Sequence, residues 1–195
     1  MTNELSKLEQ QIQKFMPFNE QEEHDKAILL KWFERGSDIL TRENEIAHLT
    51  ASAWVVSPDK KSVLMAYHNI YHSWAWLGGH ADGDKDLLHV AVREVQEESG
   101  LKSVTPVSSS IYSIEVLTVD GHEKKGYYVS GHLHLNVTYL LQADDHASLH
   151  SKPDENSGVR WFPLEEAVSA SGEEWFRERI YSKLNTKLRE RKTIL

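Results

Sequence analysis

One stretch of the chain predicts both its fold and its chemistry: residues Gly78–Leu101, GGHADGDKDLLHVAVREVQEESGL. Two glycines precede three alternating aspartates, and the apolar periodicity that follows predicts a helix over about 86–99, closed by Gly100. Residues three and four apart are neighbours on a helix, so Glu94, Glu97 and Glu98 share one face. Four apolar residues fall together on another face, which we expect to pack on the core: Leu88, Ala91, Val92 and Val95.

Three glutamates on one helix face repel one another, and the preceding glycines suggest what neutralises them. Water and salt weaken this repulsion on an open surface, so a solvated acidic face is one interpretation. Glycines let the backbone approach a ligand closely, and carboxylates with a backbone carbonyl form an all-oxygen site typical of Mg²⁺ or Mn²⁺. A calcium loop is excluded, because Arg93 stands where its twelfth-position glutamate is required. A Walker-type loop is excluded, because no Gly-Lys-Ser/Thr follows the glycines.

The composition limits the classes of protein to which the chain can belong. With 195 residues, 39% of them hydrophobic, and six tryptophans, the chain can form one domain with an appendage. The formal net charge of −8 argues against the dense basic surface that non-specific nucleic-acid binding requires. The absence of cysteine excludes disulfides, thiolate metal sites and a cysteine nucleophile. The polar first residues and the lack of a long apolar run lead us to expect no signal peptide, no membrane partner and a cytoplasmic location.

The remaining periodicities predict a mixed α/β fold, in which a mixed β-sheet lies between helices. Two helices broken around Pro17 are expected to form an N-terminal extension, residues 1–45, that packs on a main domain, residues 46–195. A helix pair that binds a partner is the alternative interpretation of this extension. Strands are predicted over residues 47–57, 62–68, 73–77, 103–119, 127–142 and 157–163. The glycines at 78–79 are predicted to form a turn, residues 120–126 a loop, and residues 173–190 a long helix.

From Gly79 onward, the quoted stretch resembles the Nudix box of the Nudix hydrolases. The usual box is Gly, five residues, Glu, seven residues, then Arg-Glu-apolar-any-Glu-Glu-any-Gly-apolar. Eight of its nine defined positions match here at the correct spacing: Gly79, Arg93, Glu94, Val95, Glu97, Glu98, Gly100 and Leu101. Lys85 occupies the position of the first box glutamate, where Asp84 or Asp86 could replace that glutamate as the partner of Arg93.

The resemblance implies the Nudix fold and hydrolysis of a diphosphate linkage by metal-activated water. The implied substrate is a small molecule, a nucleoside diphosphate derivative or a related organic diphosphate. The implied cofactor is Mg²⁺ (or Mn²⁺), held by the carbonyl of Gly78 and by Glu94, Glu97 and Glu98. Arg93 would orient the glutamates. The resemblance allows a homodimer and leaves the particular substrate open.

Further site residues are expected outside the box. The family often uses an additional acidic base, and we expect Glu155 to fill this role. Three other loop acids remain candidates: Asp144, Asp145 and Asp154. His80 follows the glycines, and His132 and His134 share one strand face, so we expect these histidines, with Gly79, to bind substrate. The solvent side of a strand is the alternative for His132 and His134, and a zinc site there lacks a third ligand.

Two alternatives to hydrolysis remain open. A non-catalytic regulator that binds a nucleotide or nucleotide sugar would agree with Lys85, but it would not need the intact glutamates. Isomerase chemistry on an isoprenoid diphosphate is known on this fold, and the absence of cysteine argues against its usual machinery. Because one fold hosts many activities, only the site residues can choose among these functions, and the glutamates favour the hydrolase.

Overall fold

The computed structural model describes residues 3–124 and 126–193. Its helical elements are α1 (Asn3–Lys14), α2 (Glu20–Arg35), a 3₁₀ turn (Ser37–Leu40), α3 (Leu87–Ser99), α4 (Leu164–Ala170), a π-helical turn (Phe176–Tyr181) and α5 (Ser182–Thr193). Its strands are β1 (Ala47–Val56), β2 (Ser62–His68), β3 (Ser73–Ala75), β4 (Leu77–His80), β5 (Thr105–Pro106), β6 (Ser113–Val119), β7 (His122–Lys124), β8 (Tyr127–Val129), β9 (His132–Gln142) and β10 (Asn156–Pro163). The predicted mixed α/β class is confirmed. None of the helices in the described ranges has the length and apolar character that crossing a membrane requires.

The chain divides into two compact units. The first contains the described residues up to Ser52, together with Gly78–Ala91 and Ser109–Tyr139. The second contains Ala53–Leu77, Val92–Ser108 and the described residues from Leu140 onward. The predicted division into residues 1–45 and 46–195 stays a prediction, because each unit combines several separate segments of the chain.

In the first unit, helix α2 is capped at both ends and packs on β6. Its N-cap is Asn19, whose side-chain oxygen accepts a hydrogen bond from the Glu22 N–H at 3.0 Å. At the other end, the Gly36 N–H donates to the Phe33 carbonyl. Leu29 and Phe33 are buried, so α2 turns an apolar face toward the strands.

A buried polar network lies under α2, also in the first unit. The Ser113 hydroxyl contacts two carboxylates. One is Glu22, whose Oε1 lies 2.6 Å away, and the other is Glu115. Glu115 Oε2 accepts further bonds from Asn136 Nδ2 at 2.9 Å and Thr138 Oγ1 at 2.8 Å. All five residues are fully buried. Buried polar groups are costly unless paired, so this network fixes α2, β6 and β9 in one register.

The predicted Gly-Gly turn is wrong, because both glycines lie in strand β4, which pairs with β1. A Cβ at Gly78 would lie 2.4 Å from the Ala51 carbonyl oxygen and 2.7 Å from the Ser52 Cα, so only glycine fits. The chain turns later, where Asp82 and Gly83 have positive φ angles of 47° and 90°. Sequence alone marks glycine as a turn former and cannot show a neighbouring strand this close.

The predicted loop at residues 120–126 is also only partly correct. Within it, β7 pairs antiparallel with β8, from His122 opposite Val129 to Lys124 opposite Tyr127. Residue 125, between these strands, lies outside the described residues. The predicted long strand from 127 is correspondingly divided at Ser130 and Gly131 into β8 and β9.

In the second unit, β2 pairs antiparallel with three other strands. It pairs with β10 from Val159 opposite Ala66 to Pro163 opposite Ser62, with β3 near its end, and with β1 at its start. The predicted long C-terminal helix contains the π-helical turn. Tyr181 in this turn stacks on Trp54 with ring centroids 5.4 Å apart. Its hydroxyl accepts the Trp76 N–H at 3.3 Å.

Helix α3 follows its predicted bounds closely, but its buried face is rotated from the prediction. Asp86 caps its start by accepting the His89 N–H at 3.1 Å, and Gly100 closes its end with a φ of 73°. Leu88 and Val92 are only half-buried, although both were expected in the core. The fully buried apolar positions are Leu87, Val90, Ala91 and Val95.

Candidate active site

Three carboxylates of the second unit come together, and we call them the carboxylate cluster. Glu94 and Glu98 lie one turn apart on α3, and Glu155 directly precedes β10. One oxygen from each lies within 4.8 Å of the others. Glu98 is buried, at 8% exposure, whereas the Glu155 side chain is 44% exposed. The cluster is therefore closed on the helix side and open on the loop side.

Among the described residues, Glu97 is not part of this cluster. Its carboxylate lies 3.3 Å from Lys152 Nζ and 3.8 Å from Arg93 Nε. Arg93 donates its hydrogen bond to the adjacent Glu94, with Nη2 2.8 Å from Oε1. Helical spacing suggests that Arg93 pairs with Glu97, and this ion pair is present at the longer distance. The guanidinium therefore orients Glu94 more directly than Glu97.

Lys152 is a charged residue of the site that the sequence did not single out. Its ammonium lies 3.0 Å from Glu155 Oε1 and 3.3 Å from Glu97 Oε2, so it bridges the loop and α3. Burial by itself lowers the pKa of Lys152, but hydrogen bonds and charges from Glu155 and Glu97 outweigh burial and raise that pKa. The ammonium therefore stays charged at neutral pH. The i,i+3 spacing of Lys152 and Glu155 is the one sequence signal that could have indicated it.

Asn156 holds the acidic loop against the end of α3. It is buried at 1% exposure, and its Nδ2 donates to the Glu98 carbonyl at 3.0 Å. Its side-chain oxygen accepts the Lys152 N–H at 3.2 Å. The loop is closed further by the Glu155 N–H, which donates to the Lys152 carbonyl at 2.9 Å. One buried amide thus fixes the positions of Glu98, Lys152 and Glu155 together.

The other loop acids lie elsewhere. The part of the chain that the structure describes places none of the remaining candidates in the carboxylate cluster: Asp144, Asp145 and Asp154. Asp144 instead accepts the His146 N–H at 2.9 Å in its own turn, and Asp154 is exposed. Of the four loop acids, Glu155 has the geometry of a site residue.

The remaining predicted residues belong to the first unit. Gly78 and Gly79 lie in β4, and His80 ends that strand. His80, His132 and His134 lie in a second group, together with His48 from β1. His48 was not expected there, because β1 and β9 are distant in the sequence. The ligand role predicted for the Gly78 carbonyl stays a prediction.

Comparison with known proteins identifies the family. Residues 47–184 match the NUDIX domain family, which covers the box and most of the chain. The structure is similar to an Ap4A hydrolase binary complex from C. elegans, with 18% identity, a TM-score of 0.51, and coverage of 75% of this chain and 98% of that chain. It is also similar to the E. coli dihydroneopterin triphosphate pyrophosphohydrolase, with 14% identity, a TM-score of 0.52, and coverage of 69% and 92%. A search of curated proteins gives no significant match. The chain belongs to the Nudix family and is a hydrolase acting on diphosphate linkages.

Proposed function

We propose that the protein hydrolyses the diphosphate linkage of a nucleoside diphosphate derivative or related organic diphosphate, using Mg²⁺ or Mn²⁺ at the carboxylate cluster. This proposal rests on the proximity of three carboxylates. One oxygen each from Glu94, Glu98 and Glu155 lies within 4.8 Å of the others. Three carboxylates at this separation repel one another, and a divalent cation between them relieves the repulsion. The chain belongs to the Nudix family, so hydrolysis of a diphosphate linkage is the reaction that we assign to this cluster.

The donor set fits a hard divalent cation. All three side chains offer oxygen, and oxygen ligands suit Mg²⁺ and Mn²⁺ rather than softer metals. Glu94 and Glu98 would hold the ion, and the ligand roles of Glu97 and of the Gly78 carbonyl stay predictions from the sequence. When bound, a divalent ion neutralises pyrophosphate charge and lowers the pKa of its bound water.

Protein residues supply the remaining functions. Glu155 is the proposed general base, since its carboxylate is 44% exposed and can reach a water molecule beside the cluster. Lys152 positions this base through the 3.0 Å ion pair and prevents the side chain from swinging into solvent. Arg93 does the same for Glu94 at 2.8 Å. Neither cation is required to touch the reacting atoms, so both are positioning residues.

The proposed partner is a small, nucleotide-derived diphosphate rather than a nucleic acid or a membrane. Two of the structural neighbours are named for small phosphate-containing substrates, an Ap4A hydrolase and a dihydroneopterin triphosphate pyrophosphohydrolase. The net charge of −8 disfavours a phosphate backbone as a partner. Substrate contacts of Gly79, His80, His132 and His134, a cytoplasmic location and a homodimer stay predictions from the sequence.

A substrate panel tests the proposal. Hydrolysis would be followed by chromatographic separation of the phosphorylated products from dinucleoside polyphosphates, nucleotide sugars, nucleoside triphosphates and non-nucleotide diphosphates, each with Mg²⁺, Mn²⁺ or a chelator. We expect hydrolysis of at least one class, loss of the activity with chelator, and loss in Glu94→Gln but not in the matched surface variant Glu166→Gln. Binding of a nucleotide without turnover in any metal would contradict the proposal and favour the regulator.

A further inference from the structure

Four histidines of the first unit converge from three strands, and we call them the four-histidine cluster. His48 belongs to β1, His80 to β4, and His132 and His134 to the start of β9. One ring nitrogen from each lies within 4.8 Å of the others. The ring centroids of His48 are 5.1 Å from His80, 4.8 Å from His132 and 5.2 Å from His134. No hydrolytic role described above uses His48.

Hydrogen bonds fix the tautomers of two of these rings. His48 Nδ1 lies 2.9 Å from the Asn44 carbonyl, and His132 Nδ1 lies 2.9 Å from the Ser130 carbonyl. A carbonyl only accepts, so each Nδ1 carries the proton and each Nε2 presents a lone pair. This arrangement is typical of metal-binding histidines, whose second ring nitrogen donates to a carbonyl.

Two of these ring nitrogens are in direct contact. His132 Nε2 lies 3.2 Å from His134 Nε2, so without a metal the His134 ring donates and the His132 ring accepts. His48 is 4% exposed, and its Nε2 is buried without a hydrogen-bond partner among the described residues. Buried polar atoms without a hydrogen-bond partner are rare, so the His48 Nε2 is expected to bind a ligand.

Charge decides what kind of partner fits. Burial lowers the pKa of His134 well below its usual range, and the neighbouring imidazoles lower it further. Burial also lowers the pKa of His48. The neutral imidazole is the form that binds metals. Nitrogen donors without any carboxylate suit Zn²⁺, Cu²⁺ or Ni²⁺ rather than Mg²⁺.

We propose that the four-histidine cluster binds one divalent transition metal of the Zn²⁺ class. Zn–N bonds of about 2.0–2.1 Å in a tetrahedron place the nitrogens roughly 3.3 Å apart. The His132–His134 separation of 3.2 Å already has this value, and the others lie within 4.8 Å. Small ring rotations therefore complete the site. The metal would join β1, β4 and β9, and its binding does not depend on the proposed hydrolysis.

Cobalt is the direct probe, because tetrahedral Co²⁺ absorbs visible light and octahedral Co²⁺ in carboxylate sites absorbs only weakly. The full-length protein would be treated with chelator and titrated with Co²⁺, followed by competition with Zn²⁺. We expect one equivalent of Co²⁺ with a strong visible spectrum that Zn²⁺ abolishes. His48→Gln and the less buried His132→Gln should each weaken Zn²⁺ binding at least about 100-fold, since even outer-shell changes cost about 10–100-fold.

Two matched variants distinguish the four-histidine cluster from metal binding elsewhere on the protein. His146→Gln changes an exposed histidine outside the cluster, and Glu98→Gln disables the carboxylate cluster. Both should keep the cobalt spectrum, and circular dichroism without metal should show that all four variants fold. A weak octahedral spectrum in the wild type, or a strong one that survives in a folded His132→Gln or His48→Gln, would overturn the proposal. So would a spectrum lost only in Glu98→Gln.

Discussion

Lys152 Nζ lies 3.0 Å from Glu155 Oε1, and the same ammonium lies 3.3 Å from Glu97 Oε2. Lys152 thus links Glu155, in the loop before β10, to helix α3. Its side chain is 28% exposed, less than a typical surface lysine, so this ion pair is partly protected from solvent. Partly buried pairs with good geometry hold side chains in place better than exposed ones do. The acid proposed as base is therefore positioned before substrate arrives.

Lys152→Met should lower kcat about tenfold or more with little change in KM, because Glu155 loses its positioning partner while the metal-binding glutamates remain. Lys152→Arg keeps the charge and should restore most of kcat. Steady-state kinetics on the best panel substrate measure both. Equal loss in the two variants would point to a simple structural role, and no loss in Lys152→Met would remove Lys152 from the site.

Glu98→Gln should reduce hydrolysis to background, because it replaces an anionic metal ligand with a neutral amide of nearly the same size. The melting temperature without metal should stay close to that of the wild type, since no apolar contact is removed. Turnover at saturating Mg²⁺ and thermal denaturation check the two halves of this prediction. Full activity in the variant would mean that Glu98 holds no catalytic metal.

Glu155→Gln should slow hydrolysis by about 10²-fold, at the lower end of the range for general bases, because water can partly replace a loop base. Asp154→Asn, the adjacent and exposed acid, is the matched control and should be close to wild type. Kinetics of both variants decide between the two acids. A crippled Asp154→Asn beside an unaffected Glu155→Gln would show that the wrong loop acid was chosen.

Lys85→Glu restores the usual glutamate of the box and should change turnover by less than tenfold. Three aspartates already surround this position, at 82, 84 and 86, so a further carboxylate adds little. An exposed ion pair contributes only about 0–1 kcal/mol. A rise of tenfold or more at saturating Mg²⁺, about 1.4 kcal/mol of barrier, would instead indicate that Lys85 impairs the natural enzyme.

Gly78→Ala should destabilise the protein by about 1–3 kcal/mol or more, the usual cost of overpacking, because the new methyl group has no room beside β1. Its Cβ would lie 2.4 Å from the Ala51 carbonyl oxygen. At Gly172 the nearest atom to an added Cβ is Ser73 Oγ at 3.7 Å, so Gly172→Ala is the control and should be tolerated. Thermal denaturation compares the two, and equal melting temperatures would contradict the close packing of β4 on β1.

The sequence predicted best what depends on local spacing. Helix α3 and its Gly100 end follow from the pattern of a single stretch, because neighbours on a helix are close in the chain. The membership of His48 in the four-histidine cluster could not be predicted in the same way. It depends on how strands far apart in sequence are placed side by side, and a one-residue change in register would turn His48 to the opposite face.

Three other differences have related causes. The Gly78 strand was predicted as a turn, because glycine permits turns and close strand contacts equally. The rotated face of α3, with Val90 buried in place of Val92, reflects the neighbours that surround a short helix and not its own periodicity. Lys152 was overlooked because a lysine in a polar loop is usually solvated, and only the fold brings Glu97 to it.

The polar network beneath α2 has a practical consequence for shortening the protein. Ser113 and Glu115 are fully buried, and Ser113 contacts Glu22 of α2 at 2.6 Å. A truncated protein that began at β1 would uncover this hydroxyl and carboxylate and expose the strand surface that Leu29 and Phe33 cover. Hydrophobic surface of that kind promotes association between molecules. Crystallisation and kinetic work should therefore retain the first two helices, although the family match begins only at residue 47.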